Sequence, residues 1–255
     1  MSLKKKIING GLWNGISQFG AQGISFVLIL VLARFLSPEE FGLLGMVSVI
    51  TGFFGYFSEC GLIYSIIKKK EIDALDCDTA FWGGIVFGVI VYVFIYAISP
   101  YISQFYNQPE LTDLSRVLAL AFIIGSYTFV PFALEQKKLQ YKKLSIIRLI
   151  SLLVSGCVAI YFAVRGAGVW ALVFQQLSMK IVTVVATFFW MSWKPKFRFS
   201  YARFKDLFGF GMHVTVNNLI RFFFRKHRLP FSREIIRLRS IRDLYDGVSA
   251  FTLPD

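Results

Sequence analysis

Residues Leu36–Leu44, LSPEEFGLL, decide the fold. Ser37 suits a helix N-cap, Pro38 its first position, and Glu40 stands at the third, the spacing of a capping box with two carboxylates at the positive helix end. On either side of this turn the chain is apolar. Leu12–Phe35 before it and Phe41–Ile67 after it each exceed the ~20 residues needed to cross a hydrocarbon core of about 30 Å at 1.5 Å per residue. A sharp polar turn between two such runs reads as a helical hairpin across a bilayer.

Four more runs succeed these, Thr79–Ser99, Leu114–Leu134, Leu144–Val164 and Val169–Ser192, and Phe208–Phe224 opens a seventh. The chain is 56% apolar, 17% aromatic and 17% charged, with mean hydropathy +0.60, well beyond the roughly 45–50% apolar content of soluble domains. "YNQPELTDL", Tyr106–Leu114, repeats the first device, with Pro109 and Glu110 starting a helical turn into the fourth span. Trp82, Trp170, Trp190 and Trp193 fall close to span ends, where an interfacial aromatic belt belongs.

The formal charge of +13 points to nucleic acid until its distribution is read. Lys4, Lys5 and Lys6 precede the first span. Lys68, Lys69 and Lys70 follow the second; Lys137, Lys138, Lys142 and Lys143 follow the fourth; Lys194, Lys196, Arg198, Arg203 and Lys205 follow the sixth. The alternate connections hold only Arg34 and Arg165, together with Glu39, Glu40, Glu110 and Asp113. By the positive-inside rule the N-terminus and the lysine loops are cytoplasmic. The first apolar run is longer than a signal peptide's 7 to 15 residues and no A-x-A site follows it, so it reads as an uncleaved span. Cys60, Cys77 and Cys157 imply no disulfide framework, and His213 and His227 have no neighbouring ligand set for a metal.

Chemistry should lie in polar residues within the spans. Asn14, Gln18 and Gln22 recur every four residues and Ser25 continues their face; Ser48, Thr51, Ser58 and Glu59 share a face of the second span, and Gln176, Lys180, Thr183 and Thr187 one of the sixth. Lys180, twelve residues after Gly168, lies about 18 Å deep, and Glu59, nine residues before Lys68, roughly 13 Å from the lysine side. A charge at such depth costs from a few to more than ~10 kcal/mol unless it meets a partner or water. Two readings stay open: the stripes are interhelical glue and Glu59 neutralises Lys180, or these groups line a hydrated path. Arg116 and Arg148 stand within a turn or two of span ends and can snorkel. "DCD", Asp76–Asp78, is a sugar-nucleotide D-x-D in miniature, but Asp78 also stands where the third helix needs an N-cap.

Four separated stretches, "LARFLSPEEFGLLGMVSVITGFFGYFSECGL" (Leu32–Leu62), "ISQFYNQPELTDLSRVLAL" (Ile102–Leu120), "GAGVWALVFQQL" (Gly166–Leu177) and "FGFGMHVTVNNLI" (Phe208–Ile220), resemble in order and spacing the oligosaccharide flippases of the multidrug/oligosaccharidyl-lipid/polysaccharide exporter superfamily, the Wzx-like group. The likeness covers residues 1 to about 224. It implies a carrier of two six-helix lobes around a central cavity, moving undecaprenyl-diphosphate-linked glycans across the cytoplasmic (inner) membrane in surface polysaccharide or lipopolysaccharide biosynthesis. The fold class expected is all-α: a polytopic transmembrane bundle with one six-helix lobe over 1–207, part of a seventh helix over 208–224 and a basic, poorly ordered tail over 225–255. Lys180, with Arg148 and Arg34, would attract the diphosphate. Asn14, Gln18, Gln22 and Gln176 would exchange hydrogen bonds with sugars, and Glu59 would carry a coupling proton or sodium ion. The expected partners are the lipid-linked oligosaccharide, membrane lipid and glycan-assembly proteins, with no nucleic acid, no cofactor and no covalent step. Two alternatives remain: a glycosyltransferase or glycan polymerase in the membrane, for which the connections are short, and a drug antiporter of the same superfamily.

Residues 221–255 hold 8 Lys+Arg against 4 Asp+Glu and contain no spanning run. With suitable wobble bases, Lys226–Asp255 is encoded by a string that reads, one base forward, NIDYLLVGKLFGSEALGIYMMAYQLLLYP. Its "LFGSEALGIYMM" resembles Arg34–Met46, "RFLSPEEFGLLGM", as a second-lobe repeat of the first would. The expectation is therefore an out-of-frame tail on a first lobe unable to export glycan alone. Sequencing the locus checks this: the shifted frame should stay open well beyond the codon for Arg225, and stops within a few codons would discard it.

Overall fold

The computed structural model describes residues 3–58, 62–69, 71–191, 193–209 and 211. All fall in the first of the chain's two units, Met1–Thr215. Val216–Asp255 lies wholly outside the described residues, and so do Glu59, Cys60, His213 and nearly all of the expected seventh span.

Among the described residues the regular structure is entirely helical: α1 (Leu3–Leu32), α2 (Pro38–Ser58), α3 (Leu62–Lys68), α4 (Ala74–Tyr106), α5 (Glu110–Ser126), α6 (Phe129–Lys137), α7 (Tyr141–Val164) and α8 (Trp170–Trp190), with residues 201–209 also helical. The Ser37 turn forms as its residues dictate. Ser37 N–H donates to Glu40 Oε2 at 2.6 Å and Glu40 N–H to Ser37 Oγ at 3.3 Å, so α2 starts at Pro38. Among the described residues four helices are long and apolar enough to cross a membrane, and a fifth crossing results if the bent pair α5 and α6 is one span. The expected second span takes in α2 and α3, and residues 59–61 between them lie outside the described residues.

Two expected elements are corrected. The fourth span is not one straight helix; α5 and α6 meet at 45° around Tyr127–Thr128. The third helix starts five residues before Thr79, and its N-cap is Asp73, not Asp78. The reason is local: Asp73 N–H donates to the Asp76 carboxylate at 3.3 Å, a reach-back from the third helical position that nucleates the turn earlier. Asp78 falls in the second turn, where its Oδ1 accepts the Lys196 backbone N–H at 3.1 Å.

Packing follows the logic of lipid rather than of water. On α4 the large side chains Val86, Ile90, Val93 and Phe94 face outward, whereas Gly84, Gly88, Val91 and Ile95 are buried. Gly88 lets α5 come so close that a Cβ would stand 3.0 Å from the Phe122 carbonyl. Leu28 fills the space over Gly156 where α1 crosses α7, and Leu32 packs with Ala159 and Ala163. Buried hydroxyls of Ser99, Ser126 and Ser155 turn back onto carbonyls three residues earlier, at 2.7–3.0 Å.

The ends of the bundle differ in charge. At one end Lys137 donates to the Lys69 carbonyl, Arg203 bonds Asp73 and Asp76 at 2.9 and 3.0 Å, and Lys142 lies over the Trp13 ring. At the other, a cavity of about 730 Å³ is lined by Glu39, Glu40, Glu110 and Asp113, and Gly168, at φ +58°, lies where any Cβ would strike the Glu40 carboxylate.

A strap, residues 193–209, crosses the lysine end and is tied to the start of α4. Ser200 N–H donates to Thr79 Oγ1 at 3.2 Å, Trp82 Nε1–H to the Lys196 carbonyl at 3.0 Å, and Ser65 Oγ–H to the Leu207 carbonyl at 2.8 Å. Two carboxylates, Asp73 and then Asp76, raise the already high pKa of the Arg203 guanidinium that joins them. The Phe204 ring covers Gly83 so closely that a Cβ there would penetrate it. Gly83→Ala should therefore overpack this contact by roughly 1–3 kcal/mol. Tryptic cleavage at Arg203 and Lys205 should accelerate several-fold, whereas Gly45→Ala, with nothing within 4 Å of its Cβ, should leave the rate unchanged.

Candidate functional site

Gln176, Lys180 and Thr183 recur every three or four positions and so share one face of α8; Gln176 and Thr183 are half-buried there and Lys180 is exposed. Two cavities meet it. The first, about 520 Å³, lies between α2, α5 and α8 and takes its polar lining from Ser48, Thr51, Gln176 and Lys180. The second, about 560 Å³, lies between α1, α6, α7 and α8, where Asn14, Ser17, Gln136, Tyr141, Arg148 and Thr183 join Lys180. Lys180 and Phe129 border both.

Lys180 is ten residues from the start of α8, about 15 Å along its axis. The α5–α6 break lies beside it. Thr128 donates to the Gly125 carbonyl through both its hydroxyl (2.7 Å) and its backbone N–H (3.0 Å), and the space that a Gly125 Cβ would fill is 3.8 Å from Lys180 Nζ. The carbonyl end of α5 thus faces a cation, the favourable sense of the helix dipole. Thr183 Oγ1–H donates to the Met179 carbonyl at 2.7 Å, which leaves its oxygen to accept from the Ser151 hydroxyl at 2.9 Å and so ties α8 to α7 beside the second cavity.

Among the described residues neither cavity is lined by an aspartate or a glutamate. Two cations surrounded by amides and hydroxyls can hold an anion and exchange hydrogen bonds with a polyhydroxylated molecule.

The structure brings Lys180, Gln176, Arg148 and Asn14 to these cavities. Gln18, Gln22 and Arg34 border neither: on α1 the stripe drifts off the cavity side after Asn14 and Ser17, and Arg34 lies past the end of α1. Glu59 lies outside the described residues, and so does any pairing with Lys180. Arg116 has a structural post: its Nε–H donates to Ser99 Oγ at 3.0 Å and its guanidinium covers the Tyr96 ring at 4.4 Å. Asp76 and Asp78 are engaged by Lys69, Arg203 and Lys196. Sequence reasoning missed Phe129, Gln136 and Tyr141. Pro131, shortly after the break, was the available signal for the bend that aims them.

The all-α bundle and the large apolar side chains exposed along its long helices define a multi-pass membrane protein. Residues 31–229 match the family described as polysaccharide biosynthesis protein, and the chain belongs to that family. It is similar to the lipopolysaccharide biosynthesis protein WzxC of Escherichia coli (strain K12), 29% identical over 87% of this chain and 46% of the relative. It is also similar to the teichuronic acid biosynthesis protein TuaB of Bacillus subtilis (strain 168), 30% identical over 86% and 46%, and to the succinoglycan biosynthesis transport protein ExoT of Rhizobium meliloti (strain 1021), 24% identical over 82% and 43%. The chain spans about half the length of these curated relatives. No solved structure matches it.

Proposed function

We propose that this chain is the first lobe of a carrier that moves lipid-linked oligosaccharides, undecaprenyl-diphosphate-linked glycan repeat units, across the cytoplasmic (inner) membrane in surface polysaccharide biosynthesis. The observation that carries the reading is Lys180, a cation about 15 Å along α8 that is exposed to two cavities and borders both, with no carboxylate lining them among the described residues. A diphosphate and a glycan cannot cross ~30 Å of hydrocarbon unaided. Cations inside the lobe offset desolvation of the diphosphate, amides and hydroxyls replace water around the sugars, and the prenyl tail stays in lipid. The relative from Rhizobium meliloti is named a transport protein, which agrees with carriage rather than catalysis. A glycosyltransferase reading lacks comparable support, since Asp76 and Asp78 are committed to helix capping and to the strap.

In this proposal the N-terminus and the lysine end are cytoplasmic, Glu59 binds the coupling proton or sodium ion, and a second lobe completes the path by alternating access. Glycan-assembly proteins on either side supply and remove the substrate.

In a full-length version carrying a second lobe, Lys180→Ala should lower glycan export at least about tenfold, the loss of one charge-assisted hydrogen bond. Arg116→Ala at equal protein level should lower it much less. Equal effects, or normal export without Lys180, would remove the cavity assignment. Orientation is checked separately: reporter fusions after Lys70, Lys143 and Arg203 should read as cytoplasmic, and fusions near Glu40, Asn107 and Ala167 as external, with reversal at any two overturning it.

A further inference from the structure

The strap has two sides with different tasks. One is held: Lys196 N–H and Ser200 N–H are bound by Asp78 and Thr79 of α4, Trp82 takes the Lys196 carbonyl, and Arg203 is neutralised by Asp73 and Asp76. These ties fix the backbone, so the direction of the remaining side chains is set. Phe197, Phe199 and Tyr201 stand 91%, 53% and 73% exposed. Between and before them stand Lys194, Lys196 and Arg198, also without a carboxylate partner among the described residues. Aromatic and cationic residues thus alternate along a short segment, bent at Phe197, whose side chains are left exposed among the described residues.

Its place in the fold says what covers it. The strap leaves the end of α8, a candidate span, within four residues of Trp190. Four extended residues reach at most about 14 Å, so Lys194 lies in or beside the headgroup layer. Phe197 stacks on Trp82 of α4, another span, with ring centroids 4.6 Å apart, and Lys194 Nζ lies 4.8 Å from the centre of the Phe188 ring. Rings at this level suit the polar edge of a bilayer, and cations beside them suit anionic headgroups. A soluble acidic protein would have to displace lipid to reach the same rings.

We propose that residues 194–201 form a docking site for anionic phospholipids in the leaflet at the lysine end, with Lys194, Lys196 and Arg198 holding the phosphates and Phe197, Phe199 and Tyr201 entering the headgroup layer. The site is separate from the cavities and does not rest on what the lobe carries. Its consequence is mechanical: the connection leaving the lobe is fixed to both α4 and the membrane surface, so any movement of the chain after the lobe begins beyond the strap.

The test places photoreactive benzoylphenylalanine at position 199 of the whole chain, in bilayers of equal phosphatidylglycerol and phosphatidylcholine. Irradiation should give phosphatidylglycerol adducts in at least about fivefold excess, the gain expected from a single cation near an anionic surface. The excess should fall to near parity in Lys194→Gln/Lys196→Gln/Arg198→Gln, and in the unaltered sequence at about 0.5 M salt, where the Debye length drops to roughly 4 Å. Lys142→Gln/Lys143→Gln, elsewhere at the same end, should keep it. Parity in the parent chain, adducts only to protein, an excess that survives both neutralisation and salt, or equal loss in the Lys142/Lys143 control would overturn the proposal.

Discussion

The long helices of this bundle answer one constraint: in hydrocarbon, a backbone N–H or carbonyl without a partner costs several kcal/mol, and water is not there to supply one. Long helices satisfy it within themselves. Where the chain departs from a helix at depth, the departure is repaired locally. At the α5–α6 break, the hydroxyls of Ser126 and Thr128 return to carbonyls of the preceding turn, and the break faces polar cavities rather than lipid. The bend in turn places Phe129 and Gln136 where a straight helix would not. The geometry of the candidate site is therefore a by-product of how the chain satisfies its backbone.

The same solvent explains why small residues stand at the closest helix crossings. Lipid is as apolar as leucine, so burying leucine gains little, and helices associate where backbones can approach. Gly88 against α5 and Gly156 under Leu28 are such approaches. Large apolar residues stand on both sides, many exposed on the outer faces of α1, α4 and α8 and others, such as Leu32, Ile95 and Leu114, buried between helices. Hydrophobic periodicity is consequently a poor guide to which face is buried, and polar periodicity a better one.

Charge organises the two ends. Aspartates at the start of α4 divide their work: Asp76 gathers Lys69 and Arg203, Asp73 caps the helix and shares Arg203, and Asp78 holds a backbone N–H of the strap. A motif whose spacing resembles sugar-nucleotide chemistry is a structural clasp instead. Glu40 plays the matching part at the other end, capping α2 while filling the space over Gly168 in the α7–α8 turn.

The all-α class and most span positions, the Ser37 capping box and the alternation of basic and acidic connections were determined by the sequence itself. They depend on neighbours in the chain and on average hydropathy, both of which are local properties. Lys180, Gln176, Arg148 and Asn14 were legible as candidates because polar side chains inside a span are rare enough to stand out. Tertiary structure alone decided that these four border cavities while Gln18, Gln22 and Arg34 do not, since that depends on how α1, α7 and α8 are rotated against their neighbours. It alone decided that Asp78 bonds a residue 118 positions away, and that the strap lies on α4 with its rings outward. Such contacts are set by the packing of small residues between helices, and helix rotation and pairing carry no signature in a run of apolar residues whose every face is welcome in lipid.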